Sequence, residues 1–129
     1  MTIERRGSGG RWEDIYGYSR VVVADGRAFT AGCTSTVNGV VTHVGDAYGQ
    51  TIEAFGIALE ALASVGVKLP DVVRTRMYVV DGADADAVGR AHGAVFAAVR
   101  PAATLVMVAR LIHPDQLVEV EVEAVKAGL

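Results

Sequence analysis

Cysteine and proline are scarce in this chain: Cys33 stands alone, and there are three prolines in 129 residues. A single thiol cannot close an internal disulfide or build a cysteine metal site. Aromatics make up 6% of the chain and are not interleaved with basic residues, so no platform for stacking RNA bases is visible. No apolar run approaches the roughly 18 residues that a spanning helix needs. The first ten residues carry no apolar stretch behind their charges, so a secretory signal is not expected. Positive charge is not in excess either. Twelve Lys and Arg against 15 Asp and Glu give a formal net charge of −3, a poor balance for binding nucleic acid or anionic lipid. Gly-rich phosphate loops of the Walker and Rossmann types are missing. The three histidines, His43, His92 and His113, are scattered without metal-ligand spacing, so neither a metal nor a cofactor is expected. The expectation is one soluble, cytoplasmic domain, with residues 1–16 as an N-terminal segment and 17–129 as the folded unit.

What is present is a clear alternation of periods. Val21 to Ala31 reads as two strands joined at Asp25-Gly26, and Asn38-Gly39 is a second turn of the type that needs positive φ at both central residues. From Asp46 to Val65 the apolar residues Ile52, Phe55, Leu59 and Leu62 fall on one helical face, with Asp46 as N-cap and Gly66 past the end. Val72 to Val80 is a strand with Arg74, Arg76 and Tyr78 on one side and Val73, Thr75, Met77 and Val79 on the other. Asp84 to Val99 is a second helix with the stripe Val88, His92, Val95 and Val99, closed by Pro101. Thr104 to Leu111 is a strand apolar on both faces, and Leu117 to Val125 is a strand in which valines alternate with Glu119, Glu121 and Glu123. The order β-β-β-α-β-α-β-β predicts an α+β domain with one mixed sheet and both helices on one face. Two helices leave the other sheet face uncovered, and self-association is the economical way to bury it.

Several residues invite a chemical reading, each with a plainer one beside it. The three glutamates stand about 6.6–7 Å apart along one sheet face. They form a solvated face, or a row held by Arg74, Arg76 and Arg110, or a general base that holds a water. His92 lies on an apolar stripe, where a satisfied core or interface histidine is the plainer reading. Cys33 reads as a small buried thiol unless a base lies beside it.

The ordered set Gly17-Tyr18, Phe29-Thr-Ala-Gly32, the Gln50 to Val65 helix, Gly66-Val-Lys-Leu-Pro-Asp-Val-Val-Arg-Thr, Tyr78-Val-Val-Asp81, Pro101-Ala, Val108-Ala-Arg-Leu111 and Val120-Glu-Val-Glu-Ala124 resembles the Rid family, also called YjgF/YER057c/UK114. The resemblance runs from about Gly17 to Val125. It implies a chorismate-mutase-like fold and a homotrimer with its sheets inward and clefts at the subunit boundaries. It also implies hydrolysis of reactive 2-imino acids with release of ammonia. Tyr18 matches the family's cleft tyrosine, and Glu121 matches its water-positioning glutamate. The arginine that binds the substrate carboxylate is replaced by Ala103, the third-strand serine by Ala31, and a helix asparagine by Gly89. Cys33 stands where glutamine is common. Ala cannot supply the bidentate contact that Arg gives a carboxylate.

Three readings of function follow. The first is an enzyme that hydrolyses or tautomerises a reactive imine or enamine, with Tyr18 and Glu121 at the chemistry. Ligand would be held by Tyr18, Cys33, Arg76, His92, Arg110 and the surface around Ala103. The second is a non-catalytic small-molecule binder or regulatory trimer. The third is a ribonuclease, against which the acidic charge and the missing aromatic platform argue.

Overall fold

The computed structural model describes residues 1–129. Strand β1 (Ile3–Arg6) and helix α1 (Arg11–Tyr16) precede strands β2 (Val21–Ala24) and β3 (Arg27–Thr30). A two-stranded ribbon follows, β4 (Thr36–Val37) and β5 (Val40–Val41), and then helix α2 (Ala47–Ala63). Strand β6 (Val72–Val79), helix α3 (Ala85–Phe96), and strands β7 (Ala102–Met107) and β8 (Val118–Val125) complete the chain. Six strands form one mixed sheet in the order β1-β2-β3-β8-β6-β7, with β6 and β7 parallel. This is the α+β mixed sheet predicted above. The additional strand at the sheet's far end is β1, from the N-terminal segment, while the Asn38-Gly39 turn closes a separate ribbon.

The turn chemistry is as its residues dictate. Asp25 and Gly26 take φ of 51° and 76°, and Asn38 and Gly39 take 52° and 80°, the double positive φ of a tight hairpin. Asp46 caps α2 by accepting a 2.9 Å bond from the Gly49 amide. Gly66, at φ 81°, lets the chain leave the helix in the left-handed conformation.

Three local expectations are corrected. The buried face of α2 is carried by Ala47, Gln50, Thr51, Ala54, Phe55, Ala58 and Leu62, whereas Ile52 is exposed. The small alanines let the helix axis approach the sheet, so the packed face is turned away from Ile52. Helix α3 stops at Phe96, three residues short of Val99, because Arg100 adopts φ 59° ahead of Pro101. In β6 a register shift between Val72 and Arg74 turns Val72 into the core and Val73 outward, off the face it was assigned with Thr75 and Met77.

The core lies between the two helices and one face of the sheet. Val118, Val120, Val122 and Ala124 from β8 meet Thr75, Met77 and Val79 from β6, with Phe55 and Phe96 above them. The two phenylalanine rings meet edge to face at 4.9 Å. Burying each is worth about 1.5–3 kcal/mol. The opposite sheet face has no helix over it. Phe29, Val73, Val106 and Val125 are all exposed there or at its margin.

Candidate functional site

Alternation along β8 places Glu119, Glu121 and Glu123 on the helix-free face. The antiparallel register sets Tyr78 opposite Glu119, Arg76 opposite Glu121 and Arg74 opposite Glu123. Side chains do not simply meet their register partners. The Tyr78 hydroxyl donates diagonally to Glu121 Oε1 at 2.5 Å. Arg76 Nη1 lies between two carboxylates, 3.7 Å from Glu121 and 3.4 Å from Glu123. All three of those side chains are about one-third exposed, so each ion pair is worth no more than about 1 kcal/mol. Donating to Glu121 holds the Tyr78 phenol above its ordinary pKa, since ionisation would forfeit that bond; burial and the Glu121 charge push the same way. Arg74 turns toward β7, donating to Thr104 Oγ1 at 3.3 Å, and its Nε is buried without a partner.

A second cluster adjoins this one. Gly17, at φ 74°, ends α1 with its amide bonded to the Glu13 carbonyl and swings the chain into β2. That turn sets Tyr18 and Arg20 beside the segment after β3. Arg20 is only 14% exposed. Its Nε donates to Glu13 Oε2 at 3.4 Å, and its Nη1 reaches the Gly32 carbonyl at 2.7 Å and Cys33 Sγ at 3.6 Å. Its guanidinium lies 5.6 Å from the centre of the Tyr18 ring. Glu13 is buried and also accepts from the Ser8 amide at 2.9 Å and the Ser8 hydroxyl at 2.6 Å. Burial pushes the Glu13 carboxyl up, but the Ser8 bonds and the Arg20 charge outweigh it and leave the group below its ordinary range. Burial raises the Cys33 thiol, with Arg20 opposing and Glu119 and Glu13 adding to the rise. Cys33 is therefore a protonated buried thiol, the plainer of its two readings.

Glu119 joins the clusters. Its carboxylate packs against Gly32, where a Cβ would overlap Oε2. Burial raises its pKa, the Glu121 charge adds to the rise, and Arg20 opposes it.

Of the candidate residues, the fold gathers Tyr18 and Cys33 around Arg20, and Glu121 with Arg76, on one continuous stretch of the sheet. It does not bring His92 or Ala103 there within a single chain. His92 lies on the helical side, its Nε2 at 2.8 Å from Thr75 Oγ1 and its ring 4.8 Å from Phe96. Burial lowers its pKa, so it is neutral. Ala103 pairs with Thr75 on the edge strand β7 and shares that side. Arg110 is exposed in the loop after β7. Sequence reasoning missed Arg20 and Glu13. The only signal for Glu13 was a charged, aromatic stretch from Arg11 to Ser19 without a period, and Arg20 lies just past it.

The comparisons with known proteins agree with this architecture. The family model for endoribonuclease L-PSP matches residues 11–126. The uncharacterised protein SCO2049 of Streptomyces coelicolor is 42% identical over 127 residues, covering 98% of this chain and 95% of that one. The crystal structure of Rv2704 from Mycobacterium tuberculosis, a member of the YjgF/YER057c/UK114 family, superposes with a TM-score of 0.87 at 35% identity, over 96% of this chain and 99% of that chain. The 3-aminoacrylate deaminase RutC of Acinetobacter baylyi is 35% identical over 83 residues, 64% of this chain and 65% of its own length. The chain belongs to the endoribonuclease L-PSP family, the group also named YjgF/YER057c/UK114.

Proposed function

We propose that this chain works as a homotrimer whose clefts bind small imines or enamines and hydrolyse or tautomerise them, with a substrate range shifted away from ordinary 2-imino acids. The observation that carries the reading is the fixed Glu121 carboxylate, held by the Tyr78 hydroxyl at 2.5 Å and by Arg76 at 3.7 Å on the helix-free face. A carboxylate so oriented can position a water for attack on a C=N carbon and take its proton. Tyr18, partly exposed beside Arg20, orients the substrate. The water oxygen becomes the carbonyl oxygen, and the nitrogen leaves as ammonia. Similarity to a 3-aminoacrylate deaminase supports chemistry on an unsaturated carbon–nitrogen unit. The exposed apolar groups Phe29, Val73, Val106 and Val125 support self-association through the helix-free face.

Ala103 favours a second reading, a cleft that binds without catalysis. Alanine there leaves no charge-assisted contact for a substrate carboxylate.

One experiment separates the readings. A threonine dehydratase generates 2-iminobutanoate in the presence of semicarbazide, and imines lacking a carboxylate are presented in parallel. The expected result is little diversion of 2-iminobutanoate and measurable hydrolysis of a carboxylate-free imine. Binding without turnover of any of them supports the binder. RNA binding that weakens steeply with salt, together with RNA cleavage, would instead support a ribonuclease.

A further inference from the structure

The glutamate row of β8 is unevenly satisfied. Glu121 accepts from Tyr78 and lies beside Arg76, and Glu123 lies beside the same arginine. Glu119 has neither a hydrogen-bond donor nor an ion-pair partner in the chain, and its residue is half-buried. The cations around it are committed elsewhere. Arg20 directs Nε to Glu13 and Nη1 to the Gly32 carbonyl and Cys33, while Arg76 serves the other two glutamates. The carboxyl also fits a niche made for it, because the missing side chain of Gly32 is what admits Oε2.

We propose that Glu119 protonates the imine nitrogen as water adds, paired with Glu121, which holds the water. This rests on the hydrolytic reading above. A half-buried carboxyl with no donor in the chain is suited to carry a proton and, once it has given it up, to accept an N–H of the ligand. An imine nitrogen matches both states in turn, since it takes the proton and the N–H so formed donates back to the carboxylate. Two carboxyls in unlike environments can divide acid and base work between them.

The proton balance closes. Protonated Glu119 gives its proton to the imine nitrogen as the water oxygen bonds to carbon and Glu121 takes the water's proton. The product of this step is a carbinolamine. Its amino nitrogen then receives the proton from Glu121, the C–N bond breaks, and ammonia leaves. The hydroxyl proton passes to Glu119, the carbonyl forms, and both carboxyls return to their starting states. The groups facing Glu119 are Arg20 from the turn before β2, Cys33 from the segment after β3, Tyr78 from β6 and Glu121 from β8, with Glu13 of α1 behind Arg20. The ligand class that suits this face is a neutral imine without its own carboxylate, since an anion would meet Glu119 unpaired.

The test compares wild type, Glu119→Gln and Gly32→Ala on the imine that wild type hydrolyses best, as kcat/KM against pH. Wild type should lose activity as pH rises through the Glu119 titration. Glu119→Gln keeps the shape without a transferable proton. It should fall about 100-fold and lose that limb of the profile. In Gly32→Ala the new Cβ expels the carboxyl from its niche toward water, and the limb should move to lower pH. A Glu119→Gln profile with the limb intact overturns the proposal and leaves the hydrolytic reading standing, as does an unchanged profile in Gly32→Ala. Absence of turnover by wild type overturns both together.

Discussion

Tyr78 stands opposite Glu119 in the β6–β8 register, yet its hydroxyl donates to Glu121, one step along the strand. The phenol thus bridges two positions of the carboxylate row. It fixes the orientation of Glu121 and leaves Glu119 without a donor.

The Tyr78 phenol should titrate above an ordinary tyrosine, because ionising it loses the bond to Glu121 and places two negative charges side by side. A spectrophotometric titration of tyrosinate should show one late-ionising tyrosine in wild type, absent in Tyr78→Phe. In Glu121→Gln that tyrosine should move back toward the ordinary range. An unchanged titration in Glu121→Gln would break the assigned coupling.

Glu13→Gln should destabilise the fold by about 1.5–3 kcal/mol at neutral pH, the usual worth of hydrogen bonds to a charged group. The folded pKa of Glu13 lies below its unfolded value. Its stabilising contribution is therefore present above the unfolded glutamate pKa and is lost as pH falls through the folded one. Urea midpoints of wild type and variant should differ at neutral pH and converge in acid. A gap that persists in acid would place the effect in packing rather than charge.

Ala103→Arg should raise kcat/KM for 2-iminobutanoate. A charge-assisted bond to a carboxylate is worth roughly 1.5–3 kcal/mol, which is about 10- to 100-fold in rate. Ala103 lies on an exposed edge strand, so the longer side chain is accommodated without disturbing the core. A variant no better than wild type would mean that the cleft fails for another reason, such as Gly89 or Ala31.

Val106→Asp should dissociate the assembly. Val106 lies on the helix-free face of β7, where it is 41% exposed in the single chain. Light scattering at micromolar concentration should give a trimer mass for wild type and a smaller species for the variant. A monomeric wild type would remove the inward-facing sheet, and a dimer would keep the burial but change the geometry.

Local chemistry was legible in the sequence wherever one residue or one period decides the outcome. Asp25-Gly26, Asn38-Gly39, the Asp46 cap and the Val/Glu alternation of β8 are all of that kind. The α2 face was misread because Ile52 outranks Ala54 and Ala58 in hydrophobicity, whereas close helix–sheet packing selects for small size. Val73 was misplaced because a bulge has no signature in apolar spacing. The site was legible in its parts but not in its connections. Glu13 and Arg20 are charged residues flanking a glycine turn, and only the fold of α1 against the β3 end makes them one buried pair. That Tyr78 reaches Glu121 follows from strand register, which the spacing within either strand alone does not specify.

The two borders of the six-stranded sheet are unlike. Strand β1 presents Glu4, Arg5 and Arg6 in an exposed row, while β7 presents Ala102-Ala-Thr-Leu-Val-Met107 with no charge. Charged side chains on a border strand discourage another strand from pairing there, and a neutral border invites it. One border that accepts and one that refuses cannot propagate a sheet from molecule to molecule. Any strand-to-strand joining between copies ends at a pair, so the neutral border is kept from seeding a fibre by the charges at the opposite end of the same sheet.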